Sequence, residues 1–313
     1  MKVAVLGGSG FLGMELVRKL VERGDEVLAV DRAQPKHGVA GYPQVTHVVA
    51  DVTRMESLLE ILPSMQEVYH LAGVLGTTEL DSDVRASIEA NIIGTINVLD
   101  AAVKCGVPRG FYASKCHVWL NTYTITKHAG EQFCRLYTRL HPIQVSSLRY
   151  FNMYGPHQKL YPVRKFIPTF AMQARRGLPI HIFGDGEQTV DMIFSRDAAR
   201  LTVDFLRTGF IDRALDCGTG EAISVNAVAE AVNRFFHNNA GIQHIPMRRG
   251  RSERTIVKAD MAPLQQVLGP ITFTPLEQAL DETLRWYAEL PDHAIDAALA
   301  FHGIHQPHGV SWI

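Results

Sequence analysis

Short runs of apolar and β-branched residues alternate with longer amphipathic stretches through the first half of the chain. Lys2 to Leu6 reads as a strand, Phe11 to Arg23 as a helix, and Glu26 to Val30 as a second strand. Val45 to Val49, Glu67 to Leu71 and Gly110 to Ala113 read as further strands. Between the last two, Ile88, Ile92, Ile96, Leu99 and Val103 recur at helical spacing, which predicts one helix over Ala86 to Lys104. Tyr123 to Leu140 reads as another long helix and Gln144 to Arg149 as the strand that follows it. The strands are apolar throughout instead of alternating, so both of their faces are buried. Strand–helix alternation of this kind implies an α/β fold built on a doubly wound parallel sheet.

After Gly155-Pro156 the texture changes. Pro156, Pro162, Pro168, Gly177 and Pro179 punctuate shorter elements and the strand–helix rhythm stops. The expected organisation is a first domain over residues 1–155, with later elements near 190–218 returning to it. Residues 156–313 then form mainly a smaller C-terminal lobe and tail, with the substrate in a cleft between the two. His302, His305 and His308 near the end read as a solvated tail rather than a metal site.

Composition narrows the classes. The chain has 313 residues, and its 31 Lys and Arg balance 32 Asp and Glu. A neutral balance argues against nucleic-acid or anionic-membrane partners, whose binding rests on excess positive charge. No stretch approaches the ~18 apolar residues of a membrane helix. Cys105, Cys116, Cys134 and Cys217 show neither a CxxC pair nor zinc spacing. The first residues have no signal-peptide pattern, since Gly7-Gly8 interrupts the apolar run. The expectation is a cytoplasmic protein without a structural metal.

The first strand runs into Gly7-Gly8-Ser9-Gly10-Phe11-Leu12-Gly13 and then a helix. Gly7 permits the tight turn, Gly10 lets backbone approach a pyrophosphate, and Gly13 lets the helix pack against the strand. The amides at Phe11 and Leu12 open the helix, where free N–H groups and the helix dipole favour phosphate. Asp31 ends the second strand, placed to accept hydrogen bonds from ribose hydroxyls and to repel a 2′-phosphate. That favours NAD over NADP, although Arg32 beside it offers a guanidinium that could welcome the phosphate. These features make the domain a Rossmann-type dinucleotide binder.

With Tyr123-Thr-Ile-Thr-Lys127 added, the sequence resembles the extended short-chain dehydrogenase/reductase family, specifically its nucleotide-sugar epimerases and dehydratases. The resemblance spans most of the chain. It includes Asp51-Val52, His70-Leu71-Ala72-Gly73, Asn91-Ile-Ile-Gly-Thr95, Arg149-Tyr150-Phe-Asn152-Met-Tyr-Gly-Pro156 and Gly184-Asp-Gly-Glu-Gln. It implies that Asp51 and Val52 contact adenine. It also implies that Leu71, Ala72, Gly73, Asn91 and Tyr150 line the cofactor site, and that Asn152 meets the substrate pyrophosphate. Tyr123 and Lys127, four residues apart, share one helix face. A neighbouring ammonium and a positively charged nicotinamide would lower the phenol pKa, so that Tyr123 takes a proton from a sugar hydroxyl. Lys127 would also hold the nicotinamide ribose.

Three departures matter. Relatives carry a Ser or Thr just after the fifth strand; here Lys115 falls on that position and Ser114 one before it. Either Ser114 moves into the hydroxyl role, or Lys115 polarises the sugar oxygen as a cation, or the position is dispensable. The segment from there to Tyr123 is also short, which implies a more open site. Dehydratases place an Asp-Glu pair where Cys116 and His117 stand, so epimerisation is favoured, with Cys116 and His117 as an unusual acid–base pair for dehydration if not. Finally, the Arg of the pattern Gly-Asp-Gly-x-x-x-Arg-Asp is Val190. Arg249 or Arg251 could supply that phosphate contact, and Thr77, Thr78 and Glu79 could meet the sugar.

The reading is an NAD-dependent epimerase acting at C4 of a UDP-hexose through a transient keto-sugar. The resemblance further implies a homodimer, formed through the two long helices. The alternatives are a nucleotide-sugar dehydratase and a non-catalytic NAD-binding regulator.

Overall fold

The computed structural model describes residues 1–33, 41–76, 79–247 and 255–304. In chain order, β1 (Lys2–Leu6), α1 (Phe11–Glu22), β2 (Glu26–Asp31), β3 (Val45–Val49), α2 (Met55–Ile61) and β4 (Glu67–His70) open the molecule. Next come α3 (Val84–Ile88), α4 (Gly94–Lys104), β5 (Arg109–Lys115), α5 (Thr122–Leu140) and β6 (Gln144–Tyr150). They are followed by β7 (Asn152–Tyr154), α6 (Phe166–Arg175), β8 (Ile180–Phe183), β9 (Thr189–Phe194), α7 (Ser195–Thr208) and β10 (Leu215–Cys217). The described chain closes with β11 (Ala222–Ser224), α8 (Val225–Phe235), β12 (Ile242–Ile245), β13 (Ile256–Val257), α9 (Ala262–Leu268), α10 (Leu276–Glu289) and α11 (Asp292–Phe301).

The chain divides into two compact units. The first holds Met1–Phe151, Ser195–Gly218 and Ala259–Thr272; the second holds Asn152–Phe194, Thr219–Lys258 and the chain from Phe273 on. The first unit therefore ends at Phe151, a few residues before Gly155-Pro156, and the chain re-enters it twice. The second re-entry carries α9, whose short apolar stretch has no strand partner to announce it.

A seven-stranded sheet in the order β10-β6-β5-β4-β1-β2-β3 runs through the first unit, and every pairing in it is parallel. Val3 to Leu6 are wholly buried, as the uninterrupted apolar run requires. The chain moves outward in one direction from β1 to β3 and in the other from β4 to β10. The carboxyl ends of β1 and β4 thus form the switch point at which such sheets hold ligands. One side of the sheet is covered by a core that includes Leu58, Leu62, Val98, Leu99, Ala102, Tyr112 and Cys134.

The single helix expected over Ala86 to Lys104 is three pieces. Glu89–Ile93 forms one π-turn between α3 and α4. The extra residue turns Asn91 into the interior, where only 2% of it is exposed. Adjacent Ile92 and Ile93 keep an apolar residue in phase on either side, so the insertion does not disturb the hydrophobic spacing.

The second unit has its own core, including Ile167, Phe170, Ile180, Ile182, Val228, Leu284, Tyr287 and Ile295. Its strands are short: β7, β11 and β13 all pair with β9, and β12 pairs with β8. Among the described residues no helix is long and apolar enough to cross a membrane.

Candidate active site

The Gly7–Gly13 turn meets the steric demands that a dinucleotide makes. Gly7 has φ +91°, and a Cβ there would lie 2.8 Å from the Ala72 nitrogen. A Cβ on Gly13 would stand 2.0 Å from the Gly7 carbonyl oxygen, so both glycines are obligatory for this close approach of backbone to backbone. Gly10 sits at the N-cap of α1 with no side-chain cap, which leaves the first-turn amides at Phe11 and Leu12 available to an anion. The Ser9 hydroxyl is buried without a hydrogen-bond partner at the same turn. The Asp31 carboxylate accepts from the Ser9 amide at 3.2 Å and the Arg32 amide at 2.8 Å. That fixes its direction at the end of β2, while the Arg32 side chain is exposed. An uncapped amide cradle, an orphaned hydroxyl and an oriented carboxylate together fit a dinucleotide.

Around this turn, the residues expected at the cofactor divide into two groups. Ala72 and Leu71 lie against Gly7, and the Leu71 amide donates to the Leu6 carbonyl at 2.8 Å. Asp51 accepts from the Thr53 amide and hydroxyl, both at 2.9 Å, and Val52 is buried beneath Gly94. Two side chains are committed elsewhere. The Asn91 amide accepts from the Val74 nitrogen at 2.8 Å and donates to the Val74 carbonyl and to Thr126 Oγ1, both at 3.1 Å. Asn91 therefore clamps the loop after β4, and Gly73 has no Cβ because one would lie 2.6 Å from that amide oxygen. The Tyr150 hydroxyl is buried in a short contact with Thr202 Oγ1, facing α7.

The face of α5 that meets β5 and β6 is organised by Glu131, a residue the sequence reading passed over. Only 1% of it is exposed, and its carboxylate accepts from Ser114 Oγ at 3.0 Å and Arg149 Nε at 3.1 Å, with Arg149 Nη2 on its other oxygen. This removes Ser114 from the hydroxyl role: it is 4% exposed and already donating to Glu131. His117 Nε2 approaches the same carboxylate at 3.4 Å without hydrogen-bond alignment. Burial pushes the His117 imidazole down to about 4, with Glu131 pulling the other way and Arg149, His128 and Lys115 adding to the fall. His117, His128 and Glu131 place one ligand atom each within 4.8 Å of one another. Arg149 already neutralises both oxygens of that carboxylate, however, and a cation there would face the guanidinium.

Tyr123 and Lys127 occupy the first turns of α5, which Asn121 caps by accepting from the Thr124 amide at 2.8 Å. They do not form the couple expected from their spacing. The Lys127 ammonium lies 4.1 Å from the centroid of the Tyr112 ring. Burial lowers it to about 8, against the opposing influence of Cys134 and Glu131. Tyr112 reaches this place because Gly130 has no Cβ; one would stand 2.3 Å from the phenol oxygen. The Tyr123 phenol is raised, not lowered, chiefly by burial and then by the neighbouring Cys116 thiol. Cys116 itself is buried, and burial raises its thiol as well. The cation beside Tyr123 is Lys115, whose Nζ lies 5.8 Å from the Tyr123 ring centroid and donates to Thr124 Oγ1 at 2.7 Å.

In the second unit, Asn152 donates to the Asp191 carbonyl at 3.2 Å. Asp191 holds a turn by accepting from the amides of Thr219 at 2.7 Å and Gly220 at 2.9 Å. Thr77, Thr78, Arg249, Arg251, His305 and His308 lie outside the described residues.

Residues 3–218 match the model of the NAD dependent epimerase/dehydratase family. The chain belongs to this family. Among similar proteins, a UDP-N-acetyl-alpha-D-glucosaminuronate decarboxylase of Bacillus cytotoxicus is 28% identical, over 91% of this chain and 97% of the relative. A UDP-glucuronate 4-epimerase of Thermodesulfobacterium geofontis is 25% identical, over 91% and 95%. The solved structure of MoeE5 in complex with UDP-glucose and NAD superposes with a TM-score of 0.80 at 28% identity, covering 91% of this chain and 98% of that one.

Family membership names the dinucleotide, NAD, and makes the charge at Asp31 testable. Replacing the carboxylate (Asp31→Ser) removes the repulsion toward a 2′-phosphate while Arg32 remains. Binding titrations are expected to show NADP affinity rising about 10-fold relative to NAD. An unchanged ratio would mean that Asp31 does not face the ribose.

The buried imidazoles set the acid limb of stability. His70 is 3% exposed, bonds Thr95 Oγ1 at 2.9 Å, and is pushed by burial to about 3, with Lys127 adding to the shift. His70 and His117 are thus held below their ordinary 6.5, so the folded state binds fewer protons than the unfolded chain. Their contribution is complete above pH 6.5 and is lost as the pH falls toward about 4 for His117 and about 3 for His70. Urea unfolding across this range is expected to show stability declining by on the order of 1.4 kcal/mol per pH unit for each group. The His70→Asn variant should give a shallower limb.

Proposed function

We propose that the protein binds NAD through Gly7, Gly10, Phe11, Leu12, Asp31, Asp51, Val52, Leu71, Ala72 and Gly73. It then epimerises a UDP-hexose at C4 by way of a transient keto-sugar. The observation that carries this reading is the arrangement of the first unit. The uncapped amide cradle at β1 and the Tyr123–Lys127 turn of α5, which follows β5, flank the switch point of one parallel sheet. The UDP-sugars named in all three related proteins support the substrate class.

NAD supplies a hydride acceptor that later returns the hydride. The chain's part is proton handling and positioning. Tyr123 Oη takes the proton of the C4 hydroxyl as the keto-sugar forms and gives it back on reduction. Lys127 contributes positive charge at the ribose that carries the nicotinamide. Dehydration is less well served. Loss of water needs a proton donor at the leaving hydroxyl, whereas the Cys116 thiol is raised and the His117 imidazole is held neutral and turned toward Glu131.

The subunits pair through α3–α4 and α5 into a four-helix bundle. Val84, Ile88 and Ile93 on one side and Ile125, Leu136 and Leu140 on the other are exposed apolar residues along these helices, with Leu140 66% exposed. The four cysteines form no disulfide, in keeping with a reducing cytoplasm.

Incubating the purified protein with NAD and a panel of UDP-, dTDP-, GDP- and CDP-sugars, followed by mass-resolved chromatography, tests the reaction. A new peak of unchanged mass from a UDP-sugar is expected, reduced about 10²- to 10⁴-fold by Tyr123→Phe. A product lighter by one water would make the enzyme a dehydratase, and one lighter by carbon dioxide a decarboxylase. No product from any sugar, with NAD bound, would favour a regulator.

Light scattering is expected to give a dimer that the double variant Leu136→Glu, Leu140→Arg converts to a monomer. A monomeric wild type would remove the bundle.

A further inference from the structure

Six residues, 116–121, join the end of β5 to the start of α5. So short a strap brings the last side chain of the strand onto the first turn of the helix. Lys115 Nζ donates to Thr124 Oγ1 at 2.7 Å, and stands 5.8 Å from the Tyr123 ring centroid and 5.9 Å from that of Trp119. Two nearby groups able to polarise a hydroxyl are engaged elsewhere. Ser114 donates to Glu131 inside the first unit, and the Lys127 ammonium lies on the face of Tyr112.

We infer that Lys115 is a catalytic residue: its ammonium, 5.8 Å from the centroid of the Tyr123 ring, donates a hydrogen bond to the sugar oxygen that is oxidised and reduced. This rests on the reading of Tyr123 as the proton acceptor. A neutral hydroxyl at this position offers one hydrogen bond. An ammonium adds a formal positive charge, which stabilises both the phenolate of Tyr123 and the alkoxide character that develops on the sugar oxygen. No bond to Lys115 is made or broken. The sugar proton passes to Tyr123 Oη and returns from it, and Lys115 keeps its own protons throughout.

The arrangement also gives the short strap a purpose. A long connection would let the strand end and the helix start adjust independently. Six residues, closed by the Asn121 cap and by the Lys115–Thr124 bond, hold the cation and the phenol in one piece.

The test uses the NAD-loaded protein and the variants Lys115→Met, Lys115→Ser and Lys115→Arg. Ultraviolet phenolate absorbance, taken as the difference from Tyr123→Phe, reports the titration of Tyr123 without any sugar. Lys115→Met and Lys115→Ser are expected to move that transition up by about one pH unit or more, with Lys115→Arg close to wild type. With a UDP-hexose, Lys115→Met should lower kcat about 100-fold, with a much smaller change in KM, and shift the acid limb of the pH profile upward. A Tyr123 titration unmoved by Lys115→Met overturns the inference. So does Lys115→Ser matching wild type, since a hydroxyl would then suffice. If the wild type turns over no UDP-hexose, the proposed reaction falls, yet the phenolate titration still decides whether Lys115 acts on Tyr123.

Discussion

A single carboxylate buried in the middle of α5 governs how the site is built. Glu131 is enclosed by the first unit, where an isolated negative charge would be strongly unfavourable. Arg149 from β6 and Ser114 from β5 satisfy it, so one side chain ties the helix to two adjacent strands. The bond fixes the rotation of α5 about its own axis. Lys127 lies one turn before Glu131 and Tyr123 two turns before it, so both are carried to the same end of the sheet. Replacing Arg149 would leave Glu131 buried and charged, which is far costlier than never having had the pair.

The constraint also explains which hydroxyl is used for structure and which position is left for chemistry. Ser114 and Lys115 both reach α5, Ser114 at Glu131 and Lys115 at Thr124 nearer the start of the helix. Once Ser114 is drawn to Glu131, Lys115 is the residue presented toward the start of α5. With the Ser114 hydroxyl held by one buried acid, the group nearer Tyr123 is the Lys115 ammonium.

Two features of the first unit rest on the absence of side-chain atoms. Gly7 and Gly13 let the turn after β1 fold back on itself, and Gly130 admits the Tyr112 ring that supports Lys127. A positively charged nicotinamide would add the charge that the expected couple requires.

Much of this protein is dictated locally. Apolar runs without alternation can only be strands buried on both faces, and helices between them force parallel pairing. That is why six of the sheet's seven strands, their ends to within a residue or two, and the glycine turn were legible in the sequence, as was the placement of Tyr123 and Lys127 on one helix; β10 was not. What the sequence left open were contacts between residues distant along the chain. The spacing from Ser114 to Glu131 and from Glu131 to Arg149 has no periodic signature, so the choice between Ser114 and Lys115 stayed unsettled. The π-turn that buries Asn91 is hidden by two consecutive isoleucines, and the commitment of Tyr150 to Thr202 joins residues 52 positions apart in the chain. Hydrophobic patterning specifies elements because it acts through neighbours in sequence. Which polar group faces which is decided by burial, and burial exists only once the tertiary structure has formed.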